Sequence, residues 1–160
     1  MNIIELEYIA AELGARLQQN GWYLVTAESC TGGWVAEAIT SVSGSSAWFD
    51  CGLVTYSNAA KQKILNVRPE TLATYGAVSE ETALEMVKGA LVQSQAQVGI
   101  AITGIAGPSG GTPSKPVGTV WIAYAFPHNI YAQCSFFRGD RTRIREQAVI
   151  TALQRLTQGL

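Results

Sequence analysis

Charge is scarce in this sequence: eleven basic and twelve acidic side chains make up 14% of the 160 residues, against about 25% in ordinary soluble domains. A net charge of −1 gives nothing to steer a polyanion, so a nucleic-acid partner is excluded. The single histidine, His128, rules out a His-rich metal site and leaves a His-based triad without support. The three cysteines, Cys30, Cys51 and Cys134, are an odd number without paired spacing, as in a reduced intracellular protein rather than a disulfide scaffold. No apolar run reaches the roughly 20 residues that span a bilayer. The first residues, Met1 to Glu7, place acids inside an apolar stretch with no basic lead-in, unlike a signal peptide. A cytoplasmic protein without a membrane partner is the expectation by elimination. What remains for chemistry is Ser, Cys, Lys, Tyr and backbone amides.

Hydrophobic residues are plentiful, at 48%, enough to bury a core in a single domain spanning residues 1–160. That apolar balance with so few charges also predicts self-association into a homo-oligomer. Leu6, Ile9, Leu13 and Leu17 recur at helical spacing over residues 4–19, and Asn20-Gly21 ends the run. Trp22 to Ala27 reads as a strand, and a helix follows Gly33 with Val35, Ala36, Ile39 and Val42 on one face. Residues 48–56 read as a second strand, after which Ser57 or Asn58 caps a short helix through Lys61, Ile64 and Leu65. Ser79-Glu80-Glu81 starts a helix to about residue 94, since a capping serine precedes acids in the positively polarised first turn. Val98 to Thr103 is a buried strand, residues 117–126 and 131–137 form a hairpin, and Asp140 caps a final helix carrying Ile144, Ala148, Ala152 and Leu156. Early alternation and a late hairpin predict an α/β fold with a mixed sheet covered by helices on both faces.

Thr26-Ala27-Glu28-Ser29-Cys30-Thr31-Gly32-Gly33 places small nucleophiles between a strand end and a helix start. That position faces the crevice in which open α/β sheets bind ligands. Backbone N–H groups of Cys30, Thr31 and Gly32 can stabilise an anion there. Ser29 and Cys30 are both candidate nucleophiles, and spacing does not choose between them. In the alternative reading Ser29 or Thr31 merely caps the helix. Glu28 is either an acid or base, or a partner that holds the turn. With no histidine at hand, the base must be a lysine or a carboxylate, and Lys61 with Tyr56 offers one if the two strands are neighbours. A lysine desolvated by an apolar pocket becomes a usable amine base, and a tyrosine hydroxyl beside it can relay a proton. Otherwise both are ordinary surface residues.

Thr103-Gly104-Ile105-Ala106-Gly107-Pro108-Ser109-Gly110-Gly111-Thr112-Pro113 follows a buried strand and has neither P-loop nor dinucleotide spacing. Its density of Gly and Pro fits either a ligand loop or a wide turn. Arg138, Arg141, Arg143 and Arg145 surround the last helix start, where Arg141 and Arg145 share a face and can bind a phosphate.

These motifs, with Gly44-Ser45-Ser46, Val54-Thr55-Tyr56-Ser57-Asn58, Gly76-Ala77-Val78-Ser79-Glu80 and Lys115-Pro116-Val117-Gly118-Thr119-Val120, resemble in order and spacing the C-terminal domain family of CinA, the competence- and damage-inducible protein. The resemblance covers roughly residues 5–157. It implies a three-layer α/β/α sandwich and the activity of standalone members, which convert nicotinamide mononucleotide to nicotinate mononucleotide and ammonia in pyridine nucleotide recycling. Carried over by position, it implies Ser29 as nucleophile, Lys61 as base and Tyr56 assisting, with Thr103, Gly104 and Gly107 touching the substrate. The partner is then a small nucleotide, and no metal or organic cofactor is required. Two rivals stand beside this reading: a non-catalytic nucleotide-binding or regulatory domain, and a Ser–Lys amidase for another small carboxamide.

Overall fold

The computed structural model describes residues 3–160. Helix α1 (Ile3–Asn20) is followed by β1 (Leu24–Glu28), α2 (Trp34–Thr40), a 3₁₀ turn (Ser45–Ala47), β2 (Phe49–Val54), α3 (Asn58–Leu65), α4 (Pro69–Tyr75), α5 (Glu80–Val92), β3 (Val98–Gly104), β4 (Thr119–Phe126), β5 (Asn129–Phe136) and α6 (Arg141–Gly159). The five strands form one sheet in the order β2-β1-β3-β4-β5. β1 runs parallel to both β2 and β3, whereas β3–β4 and β4–β5 are antiparallel. The expected mixed sheet is therefore present.

Alternation along the strands assigns the two cores. Leu24, Ile100, Ile102, Val120 and Ile122 face α1, α2 and α6, where Leu13, Leu17, Ile39, Ile144, Ala148 and Leu156 are buried. Val25, Ala27, Ala101, Ala123 and Ala125 face the opposite side and pack against Leu65, Met86, Val87 and Ala90. Small residues on that second face let α5 lie close to the sheet. Gly89 of α5 meets α3 so tightly that a Cβ there would strike the Leu65 carbonyl. The result is a three-layer α/β/α sandwich. Among the described residues no helix is long and apolar enough to cross a membrane.

Three local expectations need correction. Val42 lies beyond the end of α2, because the chain leaves the helix at Ser41. The second hairpin strand begins at Asn129 rather than at residue 131, which leaves Pro127-His128 as the turn with His128 exposed. Helix α4 was not anticipated, although Pro69 at its first position and Glu70 in its first turn are a start signal.

The connection from β1 goes to β2 on one side, and the chain then returns to β3 on the other. The carboxyl end of β1 is thus the point where strand order reverses, the usual location of a ligand crevice in such sheets. Register aligns the ends: Glu28 pairs with Val54 and with Ile102. Residues 29, 55 and 103 therefore emerge side by side.

Candidate active site

Ser29 is the first residue beyond β1, anchored by its N–H donating to the Ile102 carbonyl at 3.0 Å. The chain then turns through Gly32 and Gly33 at φ +62° and +98°, a left-handed path that glycine follows without Cβ strain. Gly33 is the N-cap of α2 and has no side chain to cap it. Glu28 does so from upstream: its carboxylate accepts from the N–H groups of Val35 at 2.9 Å and Ala36 at 3.1 Å. The carboxylate is fully buried, and its negative charge sits on the positive end of the helix. Glu28 is thus the residue that holds the turn, and Ser29 is released from any capping duty. We expect Glu28→Ala to lower stability by about 2–4 kcal/mol, because two helix N–H groups lose their acceptor. Thermal unfolding followed by circular dichroism measures this, and a melting temperature equal to wild type would contradict it.

Ser29 Oγ instead meets Lys61. Nζ lies 3.0 Å from Ser29 Oγ, 2.8 Å from the Thr55 carbonyl and 3.4 Å from the Tyr56 carbonyl. Lys61 stands one turn into α3, whose N-cap Ser57 accepts from the Ala60 N–H at 3.0 Å. The side chain runs back along the helix toward its start, as helical side chains do. It is 1% exposed, unusual for a lysine, while Lys63 lies on the exposed face. Burial lowers its pKa from the ordinary value, since the charged ammonium loses hydration. The neighbouring Cys30 thiol moves the other way, pushed up to about 11 by burial.

The arginines come from the start of α6, where Asp140 caps by accepting from the Arg143 N–H at 2.9 Å. Arg141 donates to the Gly107 carbonyl at 2.8 Å and to the Tyr56 hydroxyl at 3.0 Å. Arg145 donates through Nε to the Cys30 carbonyl and through Nη2 to the Thr31 carbonyl, each at 3.0 Å. Its guanidinium lies 5.3 Å from the centroid of the Trp34 ring. Arg143 turns away to Glu146 at 3.1 Å.

A buried Ser–Lys pair thus stands at the reversal point of an α/β/α sheet. The profile of the CinA C-terminal domain matches residues 6–160. The chain belongs to the CinA C-terminal domain family. Nicotinamide-nucleotide amidohydrolase PncC of Escherichia coli K12 is 50% identical over 157 residues, 96% of this chain and 94% of that protein. The PncC of Pseudomonas putida is 49% identical over 150 residues, 94% of each chain. Among solved structures, a CinA superfamily protein from Escherichia coli superposes with a TM-score of 0.94 at 41% identity, covering 97% of this chain and 90% of that one. A competence/damage inducible protein from Agrobacterium tumefaciens gives 0.92 at 46% identity, over 96% and 94% of the two chains.

In this CinA-type domain the remaining expected site residues divide by what they touch. Thr103 is buried and donates through Oγ1 to the Ala77 carbonyl at 2.7 Å, tying β3 to the turn before α5. Gly104 allows β3 to lie close to β4, since a Cβ would come within 2.7 Å of Val120. Gly107 adopts φ +75° and presents its carbonyl to Arg141. The loop beyond is tied down by hydrogen bonds from Ile105 N to Thr119 O (2.9 Å) and from Gly118 N to Ile105 O (2.8 Å). Gly32 is engaged within the turn after Ser29, its N–H donating to the Ser29 carbonyl at 3.0 Å. Tyr56 reaches Lys61 through its carbonyl, while the residue is 60% exposed and its hydroxyl accepts from Arg141 instead. Sequence reasoning did not single out Trp34 or the Thr55 carbonyl. The latter leaves no trace in residue type, because any residue supplies a carbonyl.

Proposed function

We propose that the chain hydrolyses the carboxamide of nicotinamide mononucleotide, giving nicotinate mononucleotide and ammonia, by acyl transfer through Ser29 with Lys61 as base and Tyr56 assisting. It is an amidase of the nicotinamide-nucleotide type serving pyridine nucleotide recycling. Identity of 50% to a nicotinamide-nucleotide amidohydrolase over nearly the whole of both chains supports this. The observation that carries the mechanism is the set of partners around Lys61 Nζ. A neutral amine has two N–H donors and one lone pair. The carbonyls of Thr55 and Tyr56 can only accept, so they take the two N–H groups. The lone pair then faces Ser29, the one partner able to donate a proton.

In the first step Ser29 Oγ bonds to the carboxamide carbon as its proton passes to Lys61. The carbonyl π pair moves onto oxygen, which the Cys30 and Thr31 amides receive. The C–N bond then breaks, and Lys61 returns the proton so that ammonia leaves. Water attacks the acyl-serine by the same route and frees the carboxylate. Tyr56 assists from the crevice mouth, where Arg141 holds its hydroxyl, and Arg141 is placed to meet the substrate phosphate. Thr103, Gly104 and Gly107 support the site through the fold, Thr103 bonded to Ala77, Gly104 packed against Val120 and Gly107 holding Arg141.

An ammonia-release assay comparing nicotinamide mononucleotide, its riboside and free nicotinamide tests this. We expect turnover of the mononucleotide and a steep loss when the phosphate is absent. Equal rates on all three would show an amidase of broader carboxamide range. No release from the mononucleotide would overturn the proposal.

A further inference from the structure

Arg145 offers a cation near the crevice, yet its Nε and Nη2 donors are aimed at backbone rather than at open space. Its two carbonyl partners belong to consecutive peptide groups in the turn that follows Ser29. A trans peptide is planar, with its C=O and N–H pointing in opposite directions. Holding the Cys30 carbonyl therefore fixes the direction of the Thr31 N–H, and holding the Thr31 carbonyl fixes the Gly32 N–H.

The two groups are not equally constrained. The Thr31–Gly32 peptide is held at both ends: the Thr31 carbonyl also accepts from Trp34 N at 3.2 Å, and Gly32 N donates to Ser29 O at 3.0 Å. The Ser29 carbonyl is held by that same bond, which also orients the Cys30 N–H. The Cys30–Thr31 peptide has only Arg145 on its carbonyl. Its Thr31 N–H has no protein acceptor among the described residues. The flanking glycines at positive φ provide no stiffness of their own. Trp34, the first residue of α2, braces the guanidinium from its ring face.

We infer that Arg145 is a positioning residue that locks the Cys30–Thr31 peptide so that the Thr31 N–H is presented to the oxyanion formed at Ser29. This rests on the acyl-transfer reading and deepens it: Arg145 acts through the backbone and does not bind the substrate phosphate. Two bonds to two carbonyls need the planar fork of a guanidinium, so a lysine at this position keeps the charge and loses the lock.

The test measures kcat and KM for nicotinamide mononucleotide, and separately the rate at which a small fluorophosphonate labels Ser29. In the labelling reaction Ser29 Oγ bonds to phosphorus, fluoride leaves and Lys61 takes the serine proton. The phosphoryl oxygen occupies the oxyanion position. For Arg145→Ala and Arg145→Lys we expect kcat to fall about 100-fold, the effect of losing one oxyanion donor, with KM within about threefold of wild type. Labelling should slow by a similar factor, and guanidinium ion at low millimolar concentration should restore part of both rates in Arg145→Ala. Wild-type kcat and labelling, or a loss confined to KM, would overturn the inference in favour of a phosphate contact. The lysine variant keeps the positive charge and most of the side-chain bulk, and supplies the reading if the alanine variant does not fold. Labelling does not involve the nucleotide. A protein inactive on the mononucleotide but slowed in labelling by these changes therefore refutes the substrate and retains Arg145. A wild-type protein whose Ser29 does not label refutes both.

Discussion

Ser29→Ala is expected to abolish ammonia release from nicotinamide mononucleotide, lowering kcat by roughly four to six orders of magnitude while the protein stays folded. The size of the loss follows from covalent catalysis: without Oγ no acyl-enzyme forms, and what survives is binding and an oxyanion site with nothing to stabilise. The fold is retained because Ser29 Oγ carries no structural duty. Glu28 caps α2, and the two carbonyl partners of Lys61 Nζ remain. Stability should change by only about 0.5–1.5 kcal/mol, one ordinary hydrogen bond. Cys30 is the control. Its thiol is buried with a pKa pushed up to about 11, so it stays protonated at neutral pH and is a poor nucleophile. Cys30→Ala should therefore retain measurable turnover, and the fluorophosphonate should modify Ser29 in that variant. Ammonia release by Ser29→Ala at a rate near wild type, or adduct formation on Cys30, would reverse the assignment.

How much of this was legible beforehand depends on whether a feature is written in side chains or in backbone. The helices announce themselves through Leu6, Ile9, Leu13 and Leu17, all buried, and through caps at Ser57, Ser79 and Asp140 that the structure realises. Ser29 and Lys61 could be named as candidates, but their meeting required β1 and β2 to be adjacent and in register. Sequence spacing is silent on that. The role of Glu28 was undecided for the same reason: its partners are the N–H groups of Val35 and Ala36, which any residues would supply. Gly104 and Gly107 looked alike in a Gly-rich loop, yet one admits the neighbouring strand and the other makes a left-handed turn. Arg145 read as an anion binder because guanidinium suits phosphate. Its observed acceptors are two carbonyls that residue types cannot reveal.

The second large effect concerns that amine. Lys61→Met keeps the length and apolar bulk of the side chain and removes the base, so kcat should fall by roughly 10³–10⁴-fold. The wild-type pH profile should carry the mark of the same group. In the proposed mechanism activity requires neutral Lys61, so kcat/KM is expected to rise with pH through its pKa, which burial has lowered from the ordinary 10.5. The acid limb of the profile therefore lies below the range of a solvated lysine, and it should be absent from residual turnover in Lys61→Met. Stability follows the same group with a definite sign. Below the folded-state pKa both folded and unfolded chains hold the proton, and the full cost of a buried ammonium is present. Between the lowered pKa and 10.5 the unfolded chain binds more protons than the folded one, so wild-type stability rises with pH. Lys61→Met has no such group and no such slope. Its stability relative to wild type should thus be most favourable at low pH and decline as pH increases through that window. Denaturant unfolding of both proteins across the alkaline range measures the difference. A constant gap would mean that Lys61 titrates as a solvated lysine, and an amine of that kind has no claim to deprotonate Ser29 at neutral pH.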